Sequence, residues 1–133
     1  MAAKALSLFA SLRRRLRPGS AGEGLACRHL EARGYAILER NFRCRSGEID
    51  VVARHGDATV FVEVKERSAD SHGEGHEAVT FGKRRRIVRA ARIYSASRGL
   101  EETPLRFDVI SIDWSTGEPR VRHYEGAFGE DGS

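Results

Sequence analysis

A chain of 133 residues with 40% apolar and 32% charged side chains can bury one hydrophobic core, the ordinary composition of a globular protein. No run approaches the roughly 18–20 apolar residues a membrane span needs, so none is expected. The net charge of +4 is a weak pointer to nucleic acid once it is divided. Five of the 23 basic side chains, Lys4, Arg13, Arg14, Arg15 and Arg17, fall in residues 1–22, which hold no acid, and the other 111 residues carry 18 basic and 19 acidic groups.

Cys27 and Cys44 lack CxxC spacing, which favours free thiols, a reducing compartment and a cytoplasmic location over a disulfide framework. The opening MAAKALSLFASLRRRLRPGS spaces Leu8, Leu12 and Leu16 by four, then runs through an Arg cluster to Pro18-Gly19-Ser20. Residues 1–20 are expected to be a flexible basic tail, with a cleaved targeting peptide or a membrane-surface anchor as alternatives. The folded body is expected over 21–125, and the acidic, Gly-containing 126–133 as a second flexible tail.

GEGLACRHLEARG at 22–34 reads as the first helix. Ala26, Cys27 and Leu30 follow Glu23 at spacings of three, four and seven, so Glu23 heads the apolar stripe, and Gly34 stops the helix. YAILERNFR reads as a strand, followed by a turn at Arg45-Ser46-Gly47. In GEIDVVAR, alternation sets Ile49, Val51 and Ala53 on one face and Glu48, Asp50 and Val52 on the other. His55-Gly56-Asp57 signals a hairpin. TVFVEVKER follows, with Val60, Val62 and Val64 on one side and Phe61, Glu63 and Lys65 on the other.

The stretch 68–77 reads as a loop. Its HGEGHE carries His72, Glu74, His76 and Glu77 but is not HExxH, and Gly73 and Gly75 weaken the helix that motif requires, so a substrate-facing loop is expected and not a zinc site. Thr80 is the N-cap of a second long helix reaching about Ser97, with Ile87, Ala90, Ala91 and Tyr94 inward and Gly99 as the stop. LRFDVISID at 105–113 is a further strand and PRVRHYE at 119–125 a short last one. Arg106 and Asp108 are expected to support the sheet.

The chemistry sits on the two central strands. Period two places Glu63 and Lys65 on one face, hairpin pairing can bring Asp50 beside them, and Glu23 enters from the helix. Carboxylates held so close repel unless a cation joins them. Mg²⁺, with Mn²⁺ as a substitute, prefers such oxygen ligands and keeps waters for hydrolysis. A lysine beside it can orient or deprotonate an attacking water and offset charge growing on a phosphate. KRRRIVRAAR at 83–92, with six basic residues and no acid, is the candidate phosphate-binding face: Lys83, Arg85, Arg86 and Arg89, with Arg67 just past the catalytic strand.

Asp50, Glu63 and Lys65, preceded by a helical Glu23, resemble the catalytic core of the PD-(D/E)xK nuclease superfamily, although Ile49 stands where the motif has proline. More closely, GEGLACRHLEARGY, NFRCRSGEID, FVEVKERS, Lys83 with Arg85 and Arg86, and RFDVISID resemble the YraN-like family. That is a small bacterial group described as endonuclease-like and compared with archaeal Holliday junction resolvases. The similarity covers about 21–113. It implies an α/β, restriction-endonuclease-like αβββαβ core with a mixed central sheet flanked by helices. It implies metal ligands at Asp50 and Glu63, the extra helical acid at Glu23 and the catalytic lysine at Lys65. The expectation is metal-dependent hydrolysis of branched or structured DNA, with a homodimer by analogy to resolvases, which cut two strands with paired sites. RNA remains open as substrate, and a non-catalytic nucleic-acid-binding or protein-interaction module that keeps the fold is the competing reading.

Overall fold

The computed structural model describes residues 21–68 and 79–133. The basic segment 1–20 and the His72–Glu77 stretch, for which a tail and a loop are expected, lie outside the described residues. The elements in chain order are α1 (Ala21–Ala32), β1 (Ala36–Cys44), β2 (Gly47–His55), β3 (Ala58–Arg67), α2 (Phe81–Ser97), β4 (Leu105–Asp113) and β5 (Arg120–Phe128). This is the expected αβββαβ core followed by the last strand expected at 119–125.

Both helices end, and α2 begins, where local chemistry dictates. At the end of α1, Tyr35 N–H bonds Leu30 C=O and Gly34 N–H bonds Glu31 C=O, and Gly34 has a φ of 88° that side-chain-bearing residues resist. The same pair of bonds closes α2, from Leu100 to Ser95 and from Gly99 to Ala96. Thr80 caps α2 at the front, its Oγ1 accepting from Lys83 N–H at 3.2 Å. The β2–β3 hairpin turns through two residues, the first of which, Gly56, has a φ of 62°.

The five strands form one sheet in the order β1-β2-β3-β4-β5, antiparallel except for the β3–β4 pair. A parallel pair needs a long crossover, and α2 lies within it. The helices cover opposite faces. On one, Ala26, Cys27 and Leu30 of α1 bury against Val51, Ala53, Val60, Val62, Ile110 and Ile112. On the other, Ile87, Val88, Ala91 and Tyr94 of α2 bury against Val52, Phe61 and Phe107. Both thiols are free, with Cys27 in the α1-side core. No helix among the described residues is long and apolar enough to cross a membrane.

Two expectations are corrected. Ile49 does not share a face with Val51 and Ala53: it packs in the α2-side cluster while they pack under α1. The alternation of β2 therefore slips at Asp50, where its pairing with β3 stops. The last strand is also longer than read, running to Phe128 and not ending near Glu125. Phe128 is buried and stacks on Phe107 at 5.1 Å between ring centroids, and beyond it Gly132 packs against Phe81 and Arg85 of α2.

Candidate functional site: a fork in the sheet

Pairing between β2 and β3 runs from His55–Ala58 to Val51–Val62 and goes no further. Each strand keeps its other neighbour beyond that point: β2 stays on β1 to Gly47–Cys44, and β3 stays on β4 to Arg67–Asp113. The sheet thus forks. The next step of the ladder would have paired Asp50 with Glu63, so the two acids stand at its crotch.

Asp50 replaces part of the missing ladder, since its Oδ2 accepts Val64 N–H at 2.8 Å. Glu63 shares a side-chain hydrogen bond with Asp50 and takes Lys83 Nζ at 2.5 Å on its Oε2. Asp50 is 4% exposed and Glu63 6%, low enough that neither charge is hydrated in the ordinary way. Burial, and then the charge of Asp50, push the Glu63 carboxyl up to about 7, against the opposing pull of Lys83. Lys65, partly buried, lies two residues along β3 on the same side, facing α2.

Glu23 is placed differently from the sequence expectation. It is buried in the first turn of α1, but its Oε1 is engaged by Arg40 at 2.7 Å and Asn41 at 3.2 Å from β1. Its Oε2 is buried with no hydrogen-bond partner among the described residues, as is Oδ1 of Asn41. Next to Glu23, Gly22 abuts the Glu66 carboxylate, so α1 starts over the carboxyl end of β3. Among the described residues no three His, Cys, Asp or Glu side chains gather as a metal-binding group. Asp50 and Glu63 are brought together, then, and Glu23 does not complete a triad with them.

The basic helix divides by position. Lys83 belongs to the fork. Arg85 lies over the Phe81 ring at 5.6 Å, and Arg92 reaches Glu130 at 3.8 Å. Arg86 and Arg89 are exposed on one flank with no partner among the described residues. Arg67 extends the Glu63–Lys65 side of β3.

Sequence reasoning missed the Lys83 contact with Glu63 and the Arg40–Asn41 clamp on Glu23. The one local signal was Asn41 itself: its φ of 57° is a conformation asparagine tolerates better than most residues. Away from the fork, Asp108 is fully buried on the α1 side, where it accepts from Arg106, His123 and Gly126 N–H. Burial would push its carboxyl up, but these bonds hold it below the usual range. The group ties β4 to β5, the supporting role expected of Arg106 and Asp108.

A five-stranded mixed sheet with helices on both faces and a fork at its centre defines a mixed α/β protein with a restriction-endonuclease-like core. The chain belongs to the YraN-like group described as Uncharacterised protein family UPF0102, whose sequence model matches residues 22–112. Similar chains include the UPF0102 protein of Geobacter metallireducens, 50% identical over 83% of this chain and 90% of its own length. That of Syntrophotalea carbinolica is 47% identical over 89% and 96%, and that of Anaeromyxobacter dehalogenans 45% identical over 86% and 85%.

Proposed function

We propose that this chain is a metal-dependent endonuclease of the PD-(D/E)xK type that hydrolyses DNA phosphodiesters, with branched or otherwise structured DNA as its substrate. The observation that carries the reading is the buried Asp50–Glu63 pair at the fork, two acids held together at the cost of raising one of them to about 7. A divalent cation relieves that conflict. The donors fit Mg²⁺, and Mn²⁺ in its place: both are hard oxygens, and Mg²⁺ commonly takes only one or two carboxylates and keeps water. Glu23 Oε2 and Asn41 Oδ1, on the adjoining α1 and β1 and without a partner among the described residues, are further donors of the same kind.

Asp50 and Glu63 would hold the ion, with Glu23 assisting directly or through water. When bound, it supplies an acidified water and offsets charge on the scissile phosphate. Lys65 orients the attacking water and stabilises charge developing on the phosphate. Lys83 neutralises Glu63 in the ion-free protein and is free to meet phosphate once displaced. Arg86 and Arg89, with Arg85 and Arg67 beside them, hold the backbone and carry no chemistry. Cutting both strands of a junction calls for two such sites, so a homodimer is part of the reading, as is the cytoplasm, where free thiols persist.

The competing reading is a binding module without catalysis. It is favoured by Lys83 already neutralising Glu63 and by Glu23 being engaged with Arg40. The two separate when the purified chain is incubated with duplex, single-stranded, flap and four-way DNA, and with matching RNA, in Mg²⁺, Mn²⁺ or EDTA. Metal-dependent cleavage with a preference for branched DNA is the expected result. Binding without cleavage on every substrate supports the module, and a preference for RNA would reassign the substrate.

A further inference from the structure

Beyond the fork, three rows of paired residues cross from β3 through β4 to β5. They are Glu63–Val109–Tyr124, Lys65–Ser111–Arg122 and Arg67–Asp113–Arg120. Residues directly opposite on neighbouring strands share a face, and Phe61, Phe107 and Val109 lie on the α2 side, so all three rows face that side. Among the described residues α2 packs mainly over β2 and β1, and the outer ends of these rows, on β5, are exposed. Arg120, Arg122 and Tyr124 are exposed, Tyr124 to 47%, whereas the alternate residues Val121 and His123 turn toward the α1 side.

The strip carries four cations, Lys65, Arg67, Arg120 and Arg122. Its one acid in the outer two rows is Asp113, which already accepts Ser115 N–H at 2.8 Å. It starts at Glu63 and is continuous with the fork. A positively charged, flat surface suits a polyanion, and an exposed tyrosine among arginines offers a stacking face to an unstacked base, which a duplex does not present.

We propose that this β3–β5 strip is a track for a single-stranded nucleic-acid segment adjoining the fork, with Arg120 and Arg122 on phosphates and Tyr124 under a base. The link to the fork rests on the nuclease reading. The binding itself does not. It assigns the site a substrate with an unpaired arm and adds three residues, all on β5, to those that hold it.

The test uses the full chain in EDTA, where no cleavage occurs, and fluorescence anisotropy with a labelled single-stranded oligonucleotide and a duplex of the same length across a salt series. Arg120→Ala with Arg122→Ala should flatten the slope of log affinity against log salt by about 1.4 for the single strand, at about 0.7 per contact. Tyr124→Ala should weaken single-strand binding at least about fivefold and leave duplex binding unchanged, and Tyr124→Phe should retain the wild-type affinity. If the arginine pair leaves the slope unchanged, or Tyr124→Ala binds the single strand normally, the strip is only a charged edge that keeps other strands from pairing, and the proposal is overturned. Cleavage failing while these binding effects appear would sink the nuclease reading alone, so the two fail separately.

Discussion

Glu63 is the residue where folding and function pull in opposite directions. Its neighbours put a second carboxylate against it and exclude water, so the folded chain takes up a proton there that the unfolded chain, with an ordinary value near 4.5, does not hold to the same pH. A raised pKa in the folded state contributes stability that is fully present below the unfolded value and is lost as pH rises through the folded one. In the metal-free protein, that loss should fall between about pH 4.5 and 7. Urea unfolding in EDTA at pH 5 and pH 7.5 should show wild type losing stability over this interval, relative to Glu63→Gln, by on the order of a few kcal/mol. Lys83→Met removes a nearby cation that opposes the shift and should steepen the loss. Parallel pH profiles for wild type and Glu63→Gln would mean that the acid pair is not strained.

At the scale of elements, the last strand is held by a contact no local pattern announces. Phe128 closes a stack with Phe107 and Phe61 across β3, β4 and β5, with centroids 5.1 and 5.6 Å apart. Phe128→Ala should therefore destabilise the chain by about 3 kcal/mol, as loss of a buried aromatic does. A change under about 0.5 kcal/mol would restore the fraying end. The reason for misreading β5 is visible in the residues: Glu125 and Gly126 look like strand breakers, and only the distant Phe107 makes Phe128 a core residue. The helices were legible because their signals are local, with Thr80 at the start of α2 and Gly34 and Gly99 past the ends. Thr80→Ala should cost about 1 kcal/mol in the same assay. The slip at Ile49 was not legible, since the alternating pattern assumes an unbroken sheet, and β2 leaves β3 at Asp50 and goes on paired with β1 alone. For the same reason Asp50 and Glu63 could be named from the sequence, but the fork that sets them face to face could not. Lys83 was read as a phosphate contact because its ion pair with Glu63 joins elements twenty residues apart.

For the whole molecule, charge is arranged and not merely abundant. Arg86 of α2 lies against Gly47 at the start of β2, the basic strip runs over β3–β5, and the acids of the fork stand on β2 and β3. Arg86→Ala with Arg89→Ala should lower the salt slope of duplex binding by about 1.8, at about 0.9 per lost contact. An unchanged slope would return that flank to a merely solvated helix face. The central claim is that the fork performs hydrolysis, and single-turnover cleavage of a four-way DNA junction in saturating Mg²⁺ tests it most directly. Asp50→Asn and Glu63→Gln, which keep shape and remove charge, should each slow cleavage at least about 10²-fold, the scale on which loss of a key transition-state-stabilising group is felt, while junction binding in EDTA persists. Wild-type cleavage rates in both variants would contradict the account.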